Sequence, residues 1–164
     1  MNTKYIHILS IAVVCVGLSL VSFLYLTQPK TLAEVTAKGS VALGTYSVDK
    51  AEYDRGLAAF RNEDYLNARA AFDRADPEKR DATTQFYVSY SYYRQGWGRF
   101  TNDDALFKSG LDSVAKVIAI DPTFRTADPS LQIKTPLELK TEFEEGLKLT
   151  ASDFNPMKLT RERK

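Results

Sequence analysis

Residues 82–96 read ATTQFYVSYSYYRQG, and the spacing of their rings decides what fold the chain can adopt. A strand would place every second residue on one face. Here Phe86, Tyr90 and Tyr93, with Arg94 beside them, recur at steps of four and three. Val88 and Tyr92 form a neighbouring stripe, flanked by Gln85 and Ser89. These steps bring side chains together on an α-helix. The helix so defined starts near Asp81 and ends at Gln95, where Gly96 suits a left-handed C-terminal residue. With Trp97 and Phe100 added, the stretch 86–100 holds seven rings, so it must be a core, a groove or a ligand surface.

The same reading extends outward to four more helices. One covers 49–62, with Asp49 and Glu52 spaced as a capping box. A second, 64–75, is stopped by Asp76-Pro77. A third runs from Asp103 to Ile120, with Asn102 as its N-cap and Asp121-Pro122 as its stop. Thr135-Pro136-Leu137-Glu138 opens the last, which reaches Leu149 and carries Leu139, Phe143 and Leu147 as one apolar stripe. No segment sustains a period of two. The fold is expected to be all-α.

The first 30 residues are of another kind. Tyr5 to Leu26 contains no Asp, Glu, Lys or Arg. As a helix this run would span about 33 Å, enough to cross the hydrocarbon layer of a bilayer. Residues 1–30 are therefore expected to be a short tail and a transmembrane helix, with Tyr5 and Tyr25 near the two interfaces. A cleaved secretory signal is the rival, with small-residue sites at Thr31-Leu32-Ala33 and Val35-Thr36-Ala37, but its apolar region is normally shorter. Lys4 on one flank nearly balances Lys30 and Lys38 on the other. The very short tail ahead of the helix favours a C-terminal domain outside the cytoplasm. The expected location is a bacterial inner membrane, single-pass, with a periplasmic domain.

Residues 31–48 look like a linker, 49–150 like the helical domain, and 151–164 like a basic tail ending KLTRERK. Beyond residue 30 the 21 acids oppose 20 bases, the chain's 22 Lys and Arg less Lys4 and Lys30. That balance provides no broad basic face for nucleic acid.

The helix pairs resemble tetratricopeptide repeats, in which small and aromatic residues recur at helix contacts. Gly56, Asp64-Tyr65, Ala68, Phe72 and Ala75 follow that pattern in order, most specifically in EDYLNARAAFDRA (63–75). ATTQFYVSYSYYRQG (82–96) and KVIAIDP (116–122) match the second unit. The first unit ends early at Pro77, and residues 97–110 are lengthened. Gly110 and Val114 stand where the family has Ala and a large residue. The resemblance implies two repeats with the 137–149 helix as a cap. It also implies a concave groove lined by Tyr53, Leu57, Phe60 and Arg61 from the first hairpin and Phe86, Tyr90, Tyr93 and Arg94 from the second.

Three occupants of that groove are open: a partner's extended segment, the chain's own 123–136 stretch or last helix, or, least favoured, a small molecule or pigment. Arg61 and Arg94 suit a carboxylate or a backbone carbonyl, but they do not reproduce the clamp with which some family members hold a chaperone's C-terminus. Trp97 and Phe100, in the lengthened turn, are either a loop anchor for a partner or a cap folded under the hairpin.

Catalysis is not expected. His7 and Cys15, the single histidine and the single cysteine, both lie in the apolar run, so no His base, thiol nucleophile or N/S metal set is left for the domain. Neither a phosphate loop nor a serine elbow occurs. No cofactor, metal or small-molecule substrate is expected. The sequence points to a membrane-anchored scaffold or accessory subunit for protein partners in a larger complex, for example an energy-converting respiratory or photosynthetic one. The alternative is a periplasmic peptide-binding chaperone or assembly factor that uses the groove.

Overall fold

The computed structural model describes residues 3–27, 46–98 and 101–148; the linker to residue 45, Phe100 and the tail lie outside them. The described residues form six α-helices and no strand: α1 (Thr3–Thr27), α2 (Lys50–Arg61), α3 (Tyr65–Ala75), α4 (Ala82–Gly96), α5 (Asp104–Ile120) and α6 (Pro136–Gly146). The all-α reading holds. The chain divides into two units, Met1–Tyr46 and Ser47–Lys164.

In the first unit, α1 is a 25-residue helix with neither an acid in its first turn nor a base in its last. From Ile8 to Leu20 its large apolar side chains are more than half exposed. Among the described residues, no helix is long and apolar enough to cross a membrane. The described side chains of α1 run unbroken from His7 to Phe23.

The second unit is a row of antiparallel helices: α2 against α3, α3 against α4, α4 against α5, and α5 against α6. Each begins at an oxygen that accepts from orphan N–H groups of the first turn. Asp49 caps α2, Asp64 caps α3, Asp81 caps α4 and Asp103 caps α5. Thr135 and Glu138 close a full capping box on α6, as expected.

Two local expectations change. Glu52 does not complete a box with Asp49; its carboxylate accepts from Arg55 and, at 2.9 Å, from Arg74 Nε, tying α2 to α3. Asn102 is not the cap of α5. Its side chain accepts from Gly98 N at 3.3 Å and donates to Gly146 O at 2.9 Å, which joins the lengthened turn to the end of α6.

The small and aromatic residues of 63–75 pack closely between helices. Ala68, Phe72 and Ala75 are almost wholly buried. A Cβ at Gly56 would come within 2.5 Å of the Phe72 ring, so α2 and α3 approach closely only because residue 56 is glycine. Phe72 stacks on Tyr87 of α4 with centroids 5.6 Å apart, carrying the core into the second hairpin. Gly96 is not a left-handed terminus. The helix leaves at Trp97 with φ −71°, and Gly96 provides room, since a Cβ there would meet Leu106 and Phe107 at 2.9 and 2.8 Å.

At the turn between hairpins, Asp76 is fully buried. Its carboxylate accepts from Arg80 N and Asp81 N at 3.0 Å and from Gln85 Nε2 at 2.8 Å. A buried carboxylate is tolerable when its lone pairs are filled in this way. On α6, Leu139 and Phe143 are buried while Lys140, Thr141, Glu144 and Glu145 are exposed. That polar outer face ends the array.

Candidate functional site

The eight residues expected to line a groove do come together, but not around an open channel. Phe60, Phe86, Tyr90 and Tyr93 form a ring cluster, with Tyr90 5.8 Å from both Phe86 and Tyr93 and 6.0 Å from Phe60. Phe86 and Tyr90 are 0% exposed, Tyr93 2% and Phe60 7%. Tyr53 and Leu57 are partly buried against the same core.

The cover is the chain's own segment 121–135, a strap between α5 and α6. Phe124 stacks obliquely on Phe86 at 5.2 Å, and Leu131 and Ile133 are buried in the cluster. The Tyr90 hydroxyl accepts from Ile133 N at 3.4 Å. Thr126 N donates to Lys134 O at 2.9 Å, pinching the strap into a loop, and Lys134 Nζ donates to Asp128 O at 2.6 Å. From the far side α6 contributes Phe143, 6.0 Å from Tyr93. Phe60, Phe86, Tyr90 and Tyr93, expected to line a partner-binding groove, are thus buried in the core, with Phe124, Leu131 and Ile133 of segment 121–135 packed on them. The signal was present in the sequence, as Phe124, Leu131 and Ile133 set among turn residues.

The arginines stay at the rim. Arg61 is exposed, and the half-buried Arg94 holds its guanidinium 5.5 Å from the centre of the Tyr90 ring. Both line a depression of about 180 Å³ with Glu63 and Ser130. Glu63 there, and Asp128 acting on Arg61, leave no surplus of positive charge for an anion. Trp97 lies half-buried against the core. Phe100 and the basic tail fall outside the described residues.

One polar contact holds the strap that no sequence pattern announces. The Tyr87 hydroxyl donates to Asp128 Oδ2 at 2.5 Å. Burial, then this hydrogen bond, pushes the Tyr87 hydroxyl far above its ordinary value. Burial pulls Asp128 the other way, but the hydrogen bonds from Tyr87 and Ser130 outweigh it and hold the carboxyl below its ordinary value. A carboxyl whose pKa is lower folded than unfolded contributes stability above about pH 4, and that contribution disappears as pH falls through the folded value. Asp128→Asn is expected to lower stability at pH 7 by about 1–2 kcal/mol. The gap to wild type should close as the acid limb is descended. Urea midpoints between pH 2 and 7 check it, and a constant gap would contradict it. Tyr53, pushed up to about 12 by burial and then by Asp81 and Asp128, sets the alkaline side. The unfolded chain ionises its tyrosines near pH 10, so stability declines from about pH 10 toward pH 12.

Among the described residues, no group of three or more His, Cys, Asp or Glu is placed to hold a metal ion. No family model, curated protein or solved structure matches the chain.

Proposed function

We propose that the chain is a non-enzymatic scaffold or accessory subunit, held at a membrane by α1, whose helical-hairpin domain contacts protein partners in a larger complex. The observation that carries this is the exposed apolar length of α1. Ile8, Leu9, Ile11, Val13, Val14, Val16, Leu18, Leu20 and Val21 are all 58% exposed or more. Contiguous apolar surface on that scale needs lipid or protein against it. The helix extends beyond His7–Phe23 in both directions, and its 25 residues correspond to about 37 Å. Over Tyr5–Leu26 the sequence remains uncharged. In this reading membrane lipid supplies that cover.

The tetratricopeptide-like reading of 49–122 belongs to the same proposal. It is supported by the Gly56–Phe72 approach and by the buried Ala68 and Ala75 at the positions the pattern requires. With the strap in the concave face, partners are met on the outer surfaces of the helices. The test is purification of the full chain from native membranes in mild detergent. A defined set of co-purifying proteins, retained through gel filtration, is expected. A monodisperse monomer, or release of the chain by alkaline carbonate washing, would overturn the reading.

A further inference from the structure

Arg69 of α3 is 7% exposed and meets the last turn of α4. Its Nη2 donates to Gln95 Oε1 at 2.6 Å, and its guanidinium carbon lies 4.2 Å from the centre of the Tyr92 ring. Its Nη1 is buried without a hydrogen-bond partner. None of the ion pairs among the described residues includes it. Burial holds the guanidinium below its ordinary pKa, with Asp73 and Tyr92 opposing.

A buried cation with no direct ion-pair partner, only Asp73 one turn away acting on it, is costly to keep. Stacking on Tyr92 and the negative C-terminal end of α4 offset part of that cost. Gln95 adds only a neutral oxygen. It is also exposed, so its side chain can leave without disturbing the core. Once it leaves, Nη2 is freed beside the unpartnered Nη1, and two such donors match the two oxygens of a carboxylate. Leu66, one turn earlier on α3, is 67% exposed and lies ready for apolar contact beside the charge.

We propose that the Arg69–Tyr92–Gln95 corner is a docking point for an acidic side chain of a partner protein, whose carboxylate replaces the Gln95 amide while a neighbouring apolar residue covers Leu66. The unpartnered Nη1 and the absence of a direct ion pair specify an anion. Leu66 specifies that the anion is part of a polypeptide rather than a free ion. The inference rests on the partner-binding reading above and gives it a surface other than the closed groove.

The probe is the peptide acetyl-Ala-Leu-Ala-Glu-Leu-Ala-amide, titrated into the full chain in detergent micelles and compared with the same peptide carrying Gln for Glu. Trp97, the only tryptophan and two residues from Gln95, reports through its emission. The Glu peptide is expected to give a saturable change, the Gln peptide one at least tenfold weaker, and Arg69→Met none, with its melting temperature unchanged or raised. Gln95→Glu provides a second arm that does not depend on Arg69→Met folding. An internal carboxylate in the fork should raise the melting temperature and abolish the response.

Equal titration by the two peptides, no response at millimolar peptide, or a full response in either variant overturns the proposal. So does the same response to sodium acetate alone, which would mark a simple anion site, or self-association abolished by Gln95→Glu, which would mark a second copy as the occupant. A native partner set unchanged by Gln95→Glu removes this docking point while leaving the scaffold reading intact.

Discussion

Tyr90→Ala is expected to cost the domain about 3–5 kcal/mol, the range for truncating a fully buried large aromatic side chain. The ring is 0% exposed and lies within 6.0 Å of Phe60, Phe86 and Tyr93, so the truncation leaves a cavity that several rigid neighbours must close. Its hydroxyl also meets Ile133 N, so the strap loses a contact. Domains of this size are stable by about 5–15 kcal/mol, and the variant should therefore lose about a fifth or more of its margin. Arg61→Ala, at the exposed rim of the same region, should stay within about 0.5 kcal/mol of wild type. Urea denaturation followed by Trp97 emission separates the two. An open, ligand-binding groove demands another outcome: Tyr90→Ala would keep its midpoint and lose only a bound peptide. An unshifted midpoint would sink the self-filled face.

How far the sequence could be read follows from which forces act locally. Helix limits are set within a few residues by caps and stops, which is why Asp49, Thr135 with Glu138, and Asp121-Pro122 were legible. The first hairpin was legible too, because Gly56, Ala68 and Phe72 make one short-range contact with a recognisable order. Asn102 and Gly96 misled for a common reason. Each is a residue type with a strong local habit, but each is recruited by something distant, Asn102 by Gly146 O and Gly96 by Phe107. The face of 86, 90 and 93 was placed correctly on the helix. What covers it was not decidable from periodicity, since a strap of three apolar residues has no period. The pairing of Tyr87 with Asp128, 41 positions apart, and the stacking of Arg69 on Tyr92 are tertiary facts with no sequence signature.

Gly110→Ala tests the other end of the array, and the expected result again opposes intuition. Alanine in place of glycine within a helix normally gains about 1 kcal/mol. Here the added Cβ would meet Phe143 Cζ at 2.1 Å and Cε1 at 2.3 Å. The ring has little freedom to retreat. It is fully buried, with Phe107 edge-on at 5.2 Å and Tyr93 at 6.0 Å. The helix backbone is held as well, since Ser89 Oγ donates to Gly110 O at 3.2 Å. Overpacking of this kind typically costs about 1–3 kcal/mol, so a net loss is expected despite the helix gain. Phe143→Leu, which shortens the offending side chain, should recover part of the loss, giving a double-mutant cycle whose coupling favours the pair. The cycle bears on more than one contact. A glycine is needed at this position because a ring from α6 enters against α5. Gly110 is thus the mark of the packing of α6 on α5. A neutral Gly110→Ala, with no coupling to residue 143, would mean that α6 does not seal α5 and that a two-hairpin array leaves its last face open.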